Sequence, residues 1–205
     1  MRLFRPCFFA RWFYPDALFR IKTTEKILWL TFDDGPDPDS TQVLLDILNK
    51  HDVKALFFCS GKAAEKYPDL IDLIKSEGHI IGNHGYNHLN GWETTTVNYL
   101  TDIERASSVT SSSFFRPPFG RLSLRQYWKI KGKYKIIFWD LMPYDFDSSF
   151  GHENTLQILK RKIRCGSVIV LHDTSRSTAT RILEDFIRFS VNEGYRFELP
   201  QFLYK

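Results

Sequence analysis

Cysteine is scarce in this 205-residue chain: Cys7, Cys59 and Cys165 lie far apart and form no CxxC pair. So sparse and odd a set argues against a disulfide framework and against cysteine ligation of zinc. It fits a reducing compartment or inert buried thiols. Long apolar runs are missing as well. The aromatic stretch Met1–Pro15 is broken by Arg2, Arg5 and Arg11, and its apolar runs are too short for a signal-peptide core or a membrane span. No large block of one charge occurs. The 28 Lys and Arg alternate with 24 Asp and Glu, for a net charge of +4, which argues against nucleic-acid binding. There is no internal repeat and no low-complexity tract.

What is present is an ordinary folding composition, 43% hydrophobic and 25% charged, in a length that suits one domain. Aromatic content is high at 16%, with 18 Phe, and such residues fill cores or line sugar-binding grooves. Residues 1–26 are expected to pack their aromatics onto a domain formed by residues 27–205. A sharper reading makes them an interfacial anchor, with arginines near lipid phosphates. That reading implies a cytoplasmic enzyme with peripheral membrane contact.

Short apolar segments alternate with helical patterns. Strands are expected at Ile27–Phe32, Ala55–Cys59, His79–Gly82, Ser113–Arg116, Ile136–Trp139, Val168–Leu171 and Tyr195–Glu198. Helices are expected after Ser40 as N-cap (inward face Val43, Leu44, Ile47, Leu48), over Asp69–Glu77, over Thr94–Val109 (Val97, Leu100, Ile103 inward), and over Asn154–Ile163 and Thr180–Val191. Repeated βα units mean parallel strands with helical crossovers. Asp33, Asp34, His84, Arg116, Asp145 and His172 each fall at or just past a strand's C-terminal end. A barrel gathers such ends at one mouth, whereas an open sheet gathers only those at its switch point. The expected fold is therefore an α/β barrel.

His84 and His88 are four residues apart, so on a helix or helical turn both imidazoles reach one cation. That spacing alone is weak evidence, since most such pairs are surface or satisfied residues. Asp33-Asp34 ends a buried strand, where two acids are costly without a compensating charge. They could equally be solvated aspartates of a helix-initiating turn. An EF-hand reading fails for want of its glycine and terminal Glu. Two histidines and one aspartate make a three-ligand set with room for water, and the second aspartate could serve as base.

Four segments in order, Thr31-Phe32-Asp33-Asp34-Gly35-Pro36, His84-x-x-x-His88, Arg116-Pro117-Pro118-Phe119-Gly120 and Leu171-His172-Asp173, resemble the motifs of the NodB-homology polysaccharide deacetylases. The resemblance runs from about Ile27 to the C-terminus. It implies a distorted (β/α) barrel of about seven parallel strands and a metal-dependent hydrolase that removes N-acetyl groups from an N-acetylated glycan or oligosaccharide. It assigns Asp34, His84 and His88 to a divalent metal, Zn2+ first, with Co2+, Ni2+ or Fe2+ as alternatives. It makes Asp33 the base, Arg116 the residue that holds it ionised and oriented, the Phe119 N–H an oxyanion donor, and His172 the acid, supported by Asp145. Pro118, Leu171 and Trp139 would line the substrate pocket. The stretch Trp139-Asp140-Leu141-Met142-Pro143-Tyr144-Asp145-Phe146 departs from the family's Asp-x-x-Asp-Trp, with Met142 and Phe146 at two of those positions. That leaves the substrate open and makes Asp140 a rival partner for His172. Two other functions stay in view: an amidase for a small non-carbohydrate acyl amide, and a non-catalytic glycan-binding barrel.

Overall fold

The computed structural model describes residues 2–7 and 9–200. In chain order the elements are α1 (Ala10–Phe13), β1 (Ile27–Asp33), α2 (Thr41–Lys50), β2 (Leu56–Cys59), α3 (Gly61–Lys66), α4 (Pro68–Ser76), β3 (Ile80–Asn83), α5 (Thr96–Thr110), β4 (Phe114–Phe115), α6 (Leu124–Ile130), β5 (Lys135–Ile136), α7 (His152–Lys162), β6 (Val168–His172), α8 (Ala179–Asn192) and β7 (Arg196–Phe197). The strands run in the order β5-β4-β3-β2-β1-β6, with β7 beside the start of β1, and every pairing between them is parallel. The ring closes irregularly. Beyond β5 the chain leaves β4 and runs along β6, where Leu141 bridges Ile169. At the opposite end of this seam Leu18 bridges Ile137 and Arg20 bridges Ser167. The result is the expected distorted seven-stranded (β/α) barrel.

Strand alternation sorts the side chains. On β1, Leu28, Leu30 and Phe32 face a helix-covered core with Phe57, Ile169, Leu171 and the inner faces of α2 and α8. Ile27 and Trp29, with Leu56, Phe58, Phe114, Ile137 and Val168, fill the barrel interior. Full burial of such residues is worth about 1.5–3 kcal/mol each. A third cluster packs Tyr99 and Ile103 of α5 and Tyr127 and Ile130 of α6 against Phe19 and Phe138.

Two helix faces are rotated from expectation. On α2 the inward set is Thr41, Leu44, Leu45 and Leu48, and Val43 is exposed. On α5 it is Tyr99, Asp102, Ile103, Ala106 and Thr110, while Val97 is 72% exposed. In each case the row at i, i+3, i+4 and i+7 includes polar residues, so counting apolar residues alone chose the wrong stripe. Ser40 does precede α2, but its hydroxyl donates to Asp173 Oδ1 at 2.6 Å rather than capping the helix.

Much of the N-terminal segment lies on the barrel. Phe4 packs on Tyr144 and Phe150, its carbonyl accepts from the Met142 N–H, and Arg2 pairs with Asp147 at 2.6 Å. Phe19 stacks on Phe138. Trp12 and Phe13 remain exposed. No helix among the described residues is long and apolar enough to cross a membrane.

Candidate active site

β1 ends in a sharp change of direction. Asp33 is the last strand residue, and its side chain turns into the barrel mouth with an exposure of 4%. Asp34 follows at φ +78°, a left-handed conformation that Asp tolerates better than most residues, and so presents its carboxylate from a different angle. His84 and His88 arrive on an irregular loop after β3, not on a helix. Their approach depends on residues with no chemistry of their own. Asn83 Oδ1 accepts from the Gly85 N–H, and the buried Asp102 carboxylate of α5 accepts from the N–H groups of Tyr86 and Asn87. Gly85 has φ +72°, and a Cβ there would lie 2.9 Å from Asp102 Oδ2. The loop is thus folded tightly onto a buried acid, and this brings the two imidazoles to 5.0 Å between ring centroids.

The atoms of Asp34, His84 and His88 that can bind a metal all lie within 4.8 Å of one another. Asp34 Oδ1 is buried without a hydrogen-bond partner, 3.1 Å from His88 Nε2 and 3.5 Å from His84 Nε2. Burial pushes His84 down to about 4 against the opposing pull of Asp33, so the ring is neutral at neutral pH. Its Nδ1 faces the Arg116 carbonyl at 2.8 Å and must carry the proton, which leaves a lone pair on Nε2 directed toward Asp34. Lone pair against carboxylate is repulsive unless a cation lies between them. Burial works to raise the Asp34 carboxyl, but His88, His84 and His172 outweigh it and hold the group well below the usual range. An orphaned acceptor, a neutral imidazole with its far nitrogen anchored, and a second imidazole are what a divalent ion requires.

Asp33 is held from inside the barrel. Fully buried Arg116 donates through Nη1 to Asp33 Oδ1 and to Thr31 Oγ1, both at 2.6 Å. Its Nε and Nη2 donate to the carbonyls of Ile137 and Phe138, and its Cζ lies 4.1 Å over the Phe58 ring. Four of the five guanidinium N–H donors are thus used, two on carbonyls and two on Thr31 and Asp33, which fixes the plane against which the Asp33 carboxylate is held.

Across the mouth, His172 Nδ1 lies 2.9 Å from Asp145 Oδ1. Asp145 is completely buried, and its Oδ2 accepts from the His172 N–H and from Ser177 Oγ, each at 2.7 Å. Burial would lower His172, but Asp145 overrides it and the ring is raised to about 9. Asp140 stands elsewhere, bound to Arg164 and Ser167, so it does not partner His172.

These groups open on a cavity of about 350 Å³. Asp33, Asp34, His84, His88 and His172 form its floor, and its walls are Pro117, Phe119, Gly120, Arg121, Trp139, Met142 and Phe146. Two expected wall residues are absent. Leu171 is fully buried in the helix-facing core, because it alternates with His172 on β6. Pro118 is buried behind Pro117, beneath the His84–His88 loop. Arg121 and the positioning residues Asn83, Asp102 and Ser177 were not expected. Arg121 directly follows the Arg116–Gly120 motif, which was a usable signal. Nothing local marked the other three.

A parallel barrel whose mouth gathers a candidate metal triad, an arginine-held carboxylate and a carboxylate-backed histidine has the parts of a metal-assisted hydrolase. Comparison with known proteins names the family. The polysaccharide deacetylase family model matches residues 20–136, more than half of the chain, and the chain belongs to that family. It is 36% identical over 152 residues to a peptidoglycan-N-acetylglucosamine deacetylase of Bacillus cereus, covering 71% of this chain and 55% of the relative. It is 30% identical over 196 residues to the peptidoglycan-N-acetylmuramic acid deacetylase PdaA of Bacillus subtilis, covering 89% and 73%. Among solved structures, a peptidoglycan N-acetylglucosamine deacetylase in complex with a naphthalenyl N-oxidanyl-benzamide superposes with a TM-score of 0.87 at 28% identity, covering 94% of each chain.

Proposed function

We propose that the protein hydrolyses N-acetyl groups of an amino-sugar-containing glycan in this cavity, with a divalent cation, Zn2+ first, held by Asp34, His84 and His88. The observation that carries the reading is the buried Asp34 Oδ1, which has no hydrogen-bond partner and faces two imidazole nitrogens. When bound, the cation supplies Lewis-acid polarisation of the acetyl carbonyl and lowers the pKa of water at the site. Asp33, fixed by Arg116, accepts the proton of the attacking water. The Phe119 N–H serves as an oxyanion donor, a contact type worth about 3 kcal/mol. His172, protonated through Asp145, gives its proton to the departing sugar amine, and Phe146, whose ring centroid is 4.8 Å from that of His172, shields the transfer from water.

The named relatives divide between N-acetylglucosamine and N-acetylmuramic acid deacetylases. The mainly apolar and aromatic cavity walls suit the face that both amino sugars share. The test is acetate release from N,N′,N″,N‴-tetraacetylchitotetraose and from peptidoglycan by the metal-loaded protein. Chelator should abolish release and added Zn2+ should restore it. Full activity in Asp34→Ala would refute the ligand assignment, and binding of oligosaccharide without acetate release would refute the catalytic reading.

A further inference from the structure

A second cavity, of about 320 Å³, lies behind Trp139, which is a wall of both. It is lined by Arg5, Arg11, Arg20 and Arg164 with Asp140 as the one acid. Asp140 is 2% exposed and already bound to Arg164 and Ser167, and Arg5 Nε lies 3.5 Å from it. One carboxylate therefore serves two of the four guanidiniums. The Arg20 guanidinium has no hydrogen bond or ion pair among the described residues, and the Arg11 guanidinium only faces the Phe19 ring, 5.9 Å from its centroid. Arg5 Nη2 donates to the Lys162 carbonyl, and its buried Nε has only the ion-pair contact with Asp140. Burial lowers Arg5 below the ordinary arginine range; Asp140 opposes this, while Arg164 and Arg20 add to it.

Ion pairing with Asp140 explains how the N-terminal segment is pinned to the barrel, but it leaves the positive charges of Arg11 and Arg20 facing one concavity. Two unpaired cations facing one concavity make a positive potential that draws an anion. Arginine is also the side chain whose planar fork matches a tetrahedral oxyanion in bidentate geometry. We propose that this cavity is a binding site for a phosphate group, held by Arg11 and Arg20 at its open side and by Arg5 within. The site is separate from the catalytic cavity, and its assignment does not depend on the deacetylation reading. The phosphate could come from a lipid headgroup or from a soluble phosphorylated compound, and the exposed Trp12 and Phe13 beside Arg11 make the first source worth a separate arm.

The probe is inorganic phosphate, titrated calorimetrically into the full-length metal-loaded protein at constant chloride ionic strength. Arg20→Gln and Arg11→Gln are the variants of choice, since neither guanidinium has a polar partner among the described residues. Each should weaken phosphate binding by about tenfold and the double variant should abolish it, while Tm in phosphate-free buffer stays that of the wild type. Phosphate bound at the catalytic metal would be insensitive to these changes. Equal affinity in the wild type and the double variant, or no binding at millimolar phosphate, overturns the proposal. In the second arm, pelleting with phosphatidic acid–phosphatidylcholine vesicles but not with phosphatidylcholine alone, lost in the double variant, assigns the phosphate to a lipid. Phosphate binding without pelleting assigns it to a soluble ligand.

Discussion

Asp145→Asn isolates the acid half of the site. In the wild type, Asp145 accepts from His172 Nδ1, the His172 N–H and Ser177 Oγ, and it raises the imidazole from 6.5 to about 9. Asparagine has nearly the same shape but no charge, so desolvation is then opposed only by Asp34 and Asp33, and His172 falls toward 6.5. The difference is worth about 3 kcal/mol of protonation free energy at most. At pH 8 the protonated fraction would drop from about nine-tenths to about three-hundredths, a roughly thirtyfold loss of kcat from protonation alone. Near pH 5.5 the loss should nearly vanish. A bound cation lowers His172 in both proteins, so the displacement between the two profiles is the quantity to read. The assay is acetate release from chitotetraose between pH 5 and 10. The sign for stability also follows. A histidine raised in the folded state stabilises fully below 6.5 and loses that contribution as pH rises through about 9, so the wild type's advantage in Tm over the variant should shrink across that window. Basic limbs at the same pH in both proteins, or a loss of equal size at every pH, would refute the assignment of His172 as a proton donor tuned by Asp145.

Arg116→Met should lower stability by about 3–5 kcal/mol in denaturant titration, because it leaves the Asp33 carboxylate buried without its cation. Arg116→Lys should recover only part of this, since a single ammonium cannot reach Asp33 and both the Ile137 and Phe138 carbonyls. Gly120→Ala places a Cβ 2.3 Å from Trp139 Cη2 at φ +65°, so Trp139 must shift in the cavity wall. A rise in KM of about tenfold or more is expected, read from acetate-release kinetics. His79, buried far from the mouth, is pushed down to about 4 by burial and by Lys54, so stability should fall as pH drops from 6.5 toward 4. His79→Gln should flatten that limb of Tm against pH and leave acetate release at pH 7.5 unchanged.

The elements were legible where periodicity and a strand-end polar residue coincided, as at β1, β3 and β6, and from the apolar run alone at β2. They were least legible where a helix buries polar groups. Asp102 reads as a surface acid of α5, yet it is buried because it accepts backbone N–H groups from the His84–His88 loop, a partner 15 residues away. The helical spacing of the two histidines brought the right pair to notice through the wrong geometry. Their approach comes from left-handed backbone at Gly85 and His88, which spacing does not encode. Leu171 was misplaced for a simpler reason. A residue beside a catalytic one on a strand faces the opposite side of the sheet, so its neighbour's role argues against its own.

The distortion of the barrel and the chemistry at its mouth share one physical cause. After β5 the chain stops pairing regularly with β4, so the carbonyls of Ile137 and Phe138 lose their places in the ladder, and a buried carbonyl without a donor costs about 1–3 kcal/mol. Arg116, one residue beyond β4 and wholly inside the barrel, donates to both. That use of Nε and Nη2 fixes the guanidinium plane, and the remaining Nη1 then reaches Thr31 and Asp33. A regular barrel would leave no free carbonyls there, and an arginine in its apolar interior would have only Asp33 and Thr31 to satisfy its donors. The irregular seam is therefore what lets a permanent cation be buried beneath the base. The same departure carries Trp139 into the walls of both cavities and Asp140 onto Arg5 and Arg164.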